Sequence, residues 1–468
     1  MKHLPEPFLQ QMQADLGTEL LDFLKALGEK PPVSIRLNPR KKLANLSNLP
    51  IAAPMSWCTE GYYLSERPSF TLDPTFHAGA YYVQEASSMF IAEAVSQLID
   101  CQDVTVLDLC AAPGGKSTLL ASILRGNSLL IANEVIKNRV DVLKENVIKW
   151  GYPNVIVSNH DSEDFTDLQG FFDIVLVDAP CSGEGLFRKD EKATDEWSPE
   201  SVQTCSARQK RILANAIKLV KPNGLLLYST CTYNDFENKN NAVFIAENEN
   251  FESTQLNISE ENIVEKVWQS NNMQPLYGYQ FYPHRIKGEG FFLSVFKNNT
   301  PLSKTSNLPK LSLEKLPRKH VEAASKWLKN ADDFEFFQKH NEDIFIILKN
   351  NLHRIALIDK VLKRKSLGTV IGTFKGSDFI PSHDLALSTE ISENIAYVDL
   401  NKTEALKFLK KENIELSEDA PQGWVLARYE GLNLGWMKVM KNRINNYLPT
   451  EFRIRMNIES LVNRFFEI

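Results

Sequence analysis

The sequence predicts an α/β protein: a parallel sheet covered by helices on both faces, preceded by a smaller α+β module and followed by a small β-rich domain. Three observations predict it. Between Thr105 and Lys297 short apolar runs alternate with amphipathic stretches at helical spacing, which is the pattern of a sheet buried on both faces. The segments before and after lack that alternation. A chain of 468 residues, 43% of them hydrophobic, also exceeds what one core fills, so about two to four domains are expected.

In chain order, "PFLQQMQADLGTELLDFLKAL" predicts a first helix and "SIRLNP" a short strand, within an N-terminal module over residues 1–98. The central domain, 99–300, reads as strands at "TVLDLC", "LLIANEV", "VIVSNHD", "DIVLVDAP" and "GLLLYSTCT". Helices at "STLLASIL", "NRVDVLKENVIKWG" and "ARQKRILANAIKLVKPNG" lie between them, the last two closing on Gly151 and Gly224 as helices often do. "YQFYPHRIKGEGFFLSVFK" reads as two strands around a turn, an antiparallel edge. Residues 301–320, rich in Pro, Ser, Asn and Lys, read as a linker with little to bury. An intermediate domain, 321–400, carries "DIFIILKN" and "IGTFKGSDFI". The terminal domain, 401–468, carries "GWVLARYEGLNLGWMKVMKNRINNYLP". No internal repeat is present.

The formal charge of −6, taken alone, argues against a polyanionic partner. Local charge differs: from Asn351 to Lys375 six basic residues (Arg354, Lys360, Lys363, Arg364, Lys365, Lys375) face one acid, Asp359. The first residues lack the continuous apolar stretch of a signal peptide and no later run reaches membrane-span length, so a cytoplasmic protein is expected. Its six cysteines form no CxxC pair, which predicts free thiols in a reducing compartment rather than a disulfide framework or a zinc ribbon.

"VLDLCAAPGGKSTLL" places a glycine pair between the first strand and a helix, where backbone N–H groups and a helix N-terminus approach a ligand closely. Two ligands compete. "GGKST" is P-loop-like, but G-x-x-x-x-G-K-[ST] needs glycine where Cys110 stands. The favoured alternative contains ribose and adenine. Glu134 closes the second strand about twenty residues on, where a carboxylate accepts from both ribose hydroxyls. Asp161 closes the third strand, placed for an adenine amino group, and Asp178 closes the fourth. Singly each acid is a helix cap or a solvated turn; together, on successive strand ends, they converge on one crevice.

"VLVDAPCSGEG" and "LLYSTCTYN" put Cys181 and Cys231 after the fourth and at the end of the fifth strand, facing the same crevice. Either thiol is a candidate nucleophile; both also fit as small core hydrophobes, the reading preferred for Cys58, Cys101 and Cys205. A third option makes Cys110, Cys181 and Cys231 ligands of a zinc ion.

"LDLCAAPGGKS", "NEVIKNRVDVLKENVIKWG", "VLVDAPCSGEG" and "LLYSTCTYNDFENK" resemble, in order and spacing, the signature motifs of the Nop2/Sun family of S-adenosylmethionine-dependent RNA cytosine-C5 methyltransferases. The resemblance covers residues 30 to 300, with "SIRLNP" and "YYVQEASSM" also familial. It implies a class I, Rossmann-like methyltransferase sheet, with Cys110, Ala111, Ala112, Pro113, Gly114, Gly115, Lys116, Glu134, Asp161 and Asp178 holding S-adenosylmethionine. It implies that Cys231, of the Thr-Cys motif, attacks C6 of cytosine, that Cys181, of the Pro-Cys motif, helps release the adduct, and that Asp178 also hydrogen-bonds the base. Lys116 is expected to help orient the methionine carboxylate or the acids. No metal is expected. The ends of the chain look like the bacterial branch acting on small-subunit ribosomal RNA, in which "GLNLGWMKVMKNRINNYLP" resembles the end of a PUA-like domain. The expected partner is RNA, 16S ribosomal RNA or the small subunit first, for a monomeric enzyme that draws the base out of its stack. The N-terminal module, the basic segment from Arg354 to Lys365 and the PUA-like domain are expected to supply phosphate contacts. Transfer RNA as substrate, a catalytically silent assembly factor and a P-loop nucleotidase stand as alternatives.

Overall fold

The computed structural model describes residues 4–271, 273–301, 309, 311–338 and 343–456. The alternation after Thr105 becomes a ten-stranded sheet. Thr105–Asp108, Leu129–Asn133, Val155–Ser158, Phe172–Asp178 and Val220–Thr230 pair in parallel. The first of these strands lies between the second and the fourth. Strand order therefore reverses beside Thr105–Asp108 and opens a crevice at the carboxyl ends. Phe291–Asn298, Pro275–Phe281 and Val264–Gln269 extend one edge antiparallel, as the paired runs after Tyr279 predict. Thr105–Asp108, Leu129–Asn133 and Val155–Ser158 are buried at every position, which is why they are apolar without alternation.

Helices Gly115–Ile123, Lys137–Trp150, Pro199–Leu219 and Lys239–Ala246 are placed between the strands. Gly151 ends Lys137–Trp150 in the left-handed conformation (φ 81°), as expected of a glycine stop. The second expected stop fails: Pro199–Leu219 passes directly into the strand at Val220 and Gly224 lies inside that strand. A Cβ there would stand 2.8 Å from the Asp173 carbonyl oxygen, so this glycine serves a close backbone approach. The single first helix is likewise two, Glu6–Leu16 and Leu20–Leu27, broken at Gly17 with φ 54°.

The flanking modules share cores instead of hanging as separate appendages. The N-terminal sheet runs Ile51–Met55, Cys58–Leu64, Val33–Leu37, Tyr81–Val83. Its Ile35, Leu64 and Tyr81 pack in one cluster with Phe408, Val425 and Met437 of the C-terminal region. Glu314–Lys315, assigned to the linker, pairs with Phe334–Gln338 as the edge of a five-stranded sheet. Linker residues 302–308 and 310 lie outside the described residues, as do 457–468 of the terminal domain. Tyr397–Asp399, placed before the boundary at 400, is the edge strand of the terminal four-stranded sheet. Lys365–Ser366 crosses over to join the central sheet beside Val155–Ser158.

This crossing engages part of the basic segment expected at phosphate. Arg354 donates to the carbonyls of Asp103 (2.6 Å) and Asn127 (2.8 Å), and Lys365 pairs with Asp359 at 2.8 Å. Lys360, Lys363, Arg364 and Lys375 remain exposed. Among the described residues, no helix is long and apolar enough to cross a membrane.

Candidate active site

The glycine turn sits at the reversal of strand order. Leu109 N–H donates to the Leu176 carbonyl (2.9 Å) and Ala111 N–H to that of Asn133 (2.7 Å), tying the turn to both neighbouring strands. Gly114, with φ 109°, caps Gly115–Ile123, and a Cβ on it would come 3.2 Å from Leu143. Arg139 donates to the Ala112 carbonyl and Asn146 to that of Pro113. The turn is thus held from outside by the helix Lys137–Trp150.

Beneath it lies Asp108, which the sequence analysis passed over. Fully buried, it accepts from Ser117 Oγ at 2.6 Å, while its other oxygen has no partner. Burial pushes its carboxyl up to about 7, and Asp178 adds to this. Lys116 Nζ lies 2.7 Å from Asp178 Oδ2, and Ser229 donates to Asp178 Oδ1 at 2.8 Å. Burial works against the Lys116 charge, but Asp178 more than offsets it and holds the ammonium above its ordinary value. A lysine engaged in this way is not free to reach phosphates as the P-loop alternative requires.

Glu134 is buried at the end of the second strand, accepting from Ile136 N–H (3.0 Å) with Arg139 3.4 Å away. Asp161 caps the following helical turn by accepting from Glu163 N–H, and both its oxygens lie on Arg211, at 3.0 and 2.9 Å. Burial, the largest single influence, opposes its charge, but the hydrogen bonds and charge of Arg211 together with the Glu163 N–H outweigh it and hold this carboxyl below its usual range. The three strand-end acids line one edge of the sheet, and each has a cation beside it: Arg139 for Glu134, Arg211 for Asp161 and Lys116 for Asp178.

Cys181 and Cys231 meet. Their sulfur atoms are 3.1 Å apart, and Cys231 N–H points at Cys181 Sγ at 3.3 Å. The hydrogen bond with Cys231, reinforced by burial, raises the Cys181 thiol well above its ordinary value. Cys110 stands apart in role: burial, then Asp108, Asp178 and Glu134, push its thiol well up and keep it neutral. Among the described residues no group of three or more His, Cys, Asp or Glu is arranged to hold a metal ion, so the three-cysteine zinc option finds no geometry. Cys58, Cys101 and Cys205 lie elsewhere with thiols raised by burial.

Two further carboxylates hold the cysteine loops and were missed by the sequence analysis. Glu237 accepts from Ser182 N–H (2.9 Å), Ser182 Oγ, Gln209 Nε2 (2.7 Å) and Asn234 Nδ2 (2.8 Å). Burial raises its carboxyl. Glu184 binds the loop after Cys231 from the other side. The available signal was small: Glu184 stands three residues after Cys181 and Glu237 six after Cys231, each inside a cysteine motif that also carries another acid.

Residues 96–297 match the family model described as 16S rRNA methyltransferase RsmB/F. Residues 4–86 match that of the N-terminal domain of 16S rRNA methyltransferase RsmF, and 396–454 that of the methyltransferase RsmF PUA domain. The chain is 31% identical to ribosomal RNA small subunit methyltransferase F of Aeromonas hydrophila, over 96% of its length and 97% of the relative's. Its counterpart in Vibrio cholerae is 30% identical over the same shares. A methyltransferase homologue from Pyrococcus horikoshii superposes with a TM-score of 0.51 at 26% identity, covering 63% of this chain and 100% of that one. NSun6 from the same organism, crystallised with SFG, superposes with a TM-score of 0.53 at 20% identity over 64% of this chain and 100% of that one, a likeness of fold.

Proposed function

The chain belongs to the RsmB/F family of 16S rRNA methyltransferases, with a Rossmann-like methyltransferase sheet and a C-terminal PUA domain; from that membership we propose that it methylates C5 of a cytosine in 16S rRNA through a covalent Cys231–C6 bond. The observation that carries the chemistry is the pair of thiols 3.1 Å apart just past the ends of neighbouring strands.

S-adenosylmethionine is the cofactor, and when bound it supplies an electrophilic methyl group. The residues present fit it. The unpartnered oxygen of buried Asp108 and the Gly114–Gly115 turn stand ready for its amino-acid end, and Glu134 suits ribose hydroxyls. Asp161 serves the adenine side, sharing its charge with Arg211.

Cytosine C5 is a poor nucleophile. Addition of the Cys231 thiolate to C6 forms an S–C bond, moves the ring's electron pair toward C5 and makes that carbon the methyl acceptor. Asp178, oriented by Lys116 and Ser229, accepts a hydrogen bond from the N4 amino group of the base, and the Lys116 ammonium beside it offsets the negative charge that thiolate addition puts on the ring. After methylation a solvent water takes the C5 proton, the C5–H electron pair restores the C5–C6 double bond, and the C6–S bond breaks with its electron pair returning to the Cys231 sulfur. Cys181, adjacent to that sulfur, promotes this breakdown.

RNA contact falls to the N-terminal module, the exposed basic residues Lys360, Lys363 and Arg364, and the PUA domain, at work in the cytoplasm where ribosomal RNA is made. Incubation with 16S rRNA tests the assignment: Cys181→Ala accumulates a protein–RNA adduct stable to denaturant, and Cys231→Ala forms none. The reverse pattern makes Cys181 the attacking thiol, and no methyl transfer to RNA by the parent leaves an assembly factor.

A further inference from the structure

On the reading that Cys231 attacks the base, we propose that Glu184 is a positioning residue that fixes the Cys231 loop in attack geometry. The carboxylate is fully buried. Its Oε2 accepts from Thr232 Oγ1 (2.6 Å), Tyr233 N–H (2.8 Å) and Asn234 N–H (3.1 Å). These donors occupy the three residues that follow Cys231. Its Oε1 accepts from Asn234 Nδ2 (2.9 Å) and Trp197 Nε1 (3.1 Å), and Gln11 Nε2 lies 3.3 Å from both oxygens.

The same acid reaches the second thiol loop. Asn234 Nδ2 donates to Glu237 as well, at 2.8 Å, and Glu237 accepts from Ser182, the residue after Cys181. Glu184 itself stands three residues after Cys181, and the neighbouring Gly185 N–H donates to the Cys231 carbonyl at 2.8 Å. An acid–amide–acid bridge thus locks the two loops to each other, and the 3.1 Å separation of the sulfurs depends on it.

Chemistry explains why the residue is an acid. All six donors aim at it, and an ionised carboxylate offers acceptors alone. A glutamine of the same shape would turn its NH2 either on the two backbone N–H groups or on the Trp197 indole. The surrounding fold has support of its own from Phe8, Phe23, Phe187, Trp197, Val202 and Tyr233, which pack in one cluster around this segment. Gln11, on the helix Glu6–Leu16, also ties the N-terminal module to the nucleophile loop.

The test uses the full chain in a Cys181→Ala background with 16S rRNA and S-adenosylmethionine, following adduct formation on denaturing gels. Adding Glu184→Gln should lower the limiting rate roughly a hundredfold, since displacements near 1 Å cost that much. KM for RNA and cofactor affinity should stay within about twofold, the signature of an interaction made only in the reacting geometry. Glu184→Asp, which keeps the carboxylate, should recover part of the rate. A folded Glu184→Gln chain with the parental rate, or with a raised KM alone, overturns the proposal. If that variant does not fold, Trp197→Phe and Thr232→Val, each deleting one donor, decide the matter: graded rate losses support it and parental rates overturn it. Absence of any adduct in the Cys181→Ala parent removes instead the Cys231 reading on which the proposal rests.

Discussion

Cys181 Sγ lies 3.1 Å from Cys231 Sγ and receives the Cys231 backbone N–H at 3.3 Å, so the two thiols are within about 1 Å of bonding distance. Diamide, which takes two electrons and two protons from a thiol pair, should therefore join them and abolish methyl transfer. Two titratable thiols should be lost per chain, and dithiothreitol should restore both thiols and activity. Cys181→Ala should lose no thiols in pairs. Inactivation with all six cysteines still titratable would show that the pair is held apart in solution.

Asp178 touches both Lys116 and Ser229. Asp178→Ala strips both of their partner and should lower kcat roughly a hundredfold while costing about 1–3 kcal/mol of stability. Asp178→Asn keeps a hydrogen bond to Ser229 but not the charge. It should be nearly as inactive as the alanine variant and closer to the parent in urea melts. An active Asp178→Asn enzyme would mean that hydrogen bonding, and not charge, is what this position supplies.

The central sheet was legible because a parallel strand buried on both faces has a pattern of its own, as in "DIVLVDAP". The placement of the candidate site residues was legible where acids and cysteines stand at or just after strand ends, as with Cys181, Cys231, Glu134 and Asp178. What stayed hidden depends on partners distant in sequence. Apolar pattern says that Tyr81 and Met437 are buried, but not that they belong to one core. Gly224 has the look of a helix stop until the Asp173 carbonyl is seen across from it. Glu184 looks like a turn acid because its donors, Gln11, Trp197 and Asn234, come from three separate stretches of chain.

The basic segment should split by salt dependence. Arg354 donates to two carbonyls of the central domain, whereas Lys363 and Arg364 expose their charges. Arg354→Ala should destabilise the chain by about 1–2 kcal/mol and leave the salt dependence of RNA binding unchanged. Lys363→Ala and Arg364→Ala should instead leave stability alone and each reduce the slope of log K against log salt by about one. Binding of the parent that does not weaken with salt would remove phosphate contact as the role of these residues.

Asp108 makes stability depend on pH in a direction opposite to most carboxylates. Its folded-state value, pushed by burial to about 7, lies above the ordinary 3.8. Between those values the folded chain keeps a proton that the unfolded chain gives up, so stability falls as pH rises through this window, by at most roughly 1.4 kcal/mol per pH unit. Asp108→Asn cannot titrate and retains a partner for Ser117 Oγ. Denaturant melts of variant and parent should therefore diverge in the variant's favour between about pH 5 and 7 and run parallel above about pH 8, other groups cancelling in the difference. A difference constant across that range would mean that Asp108 is ionised throughout, with a cation or water on the oxygen that has no protein partner.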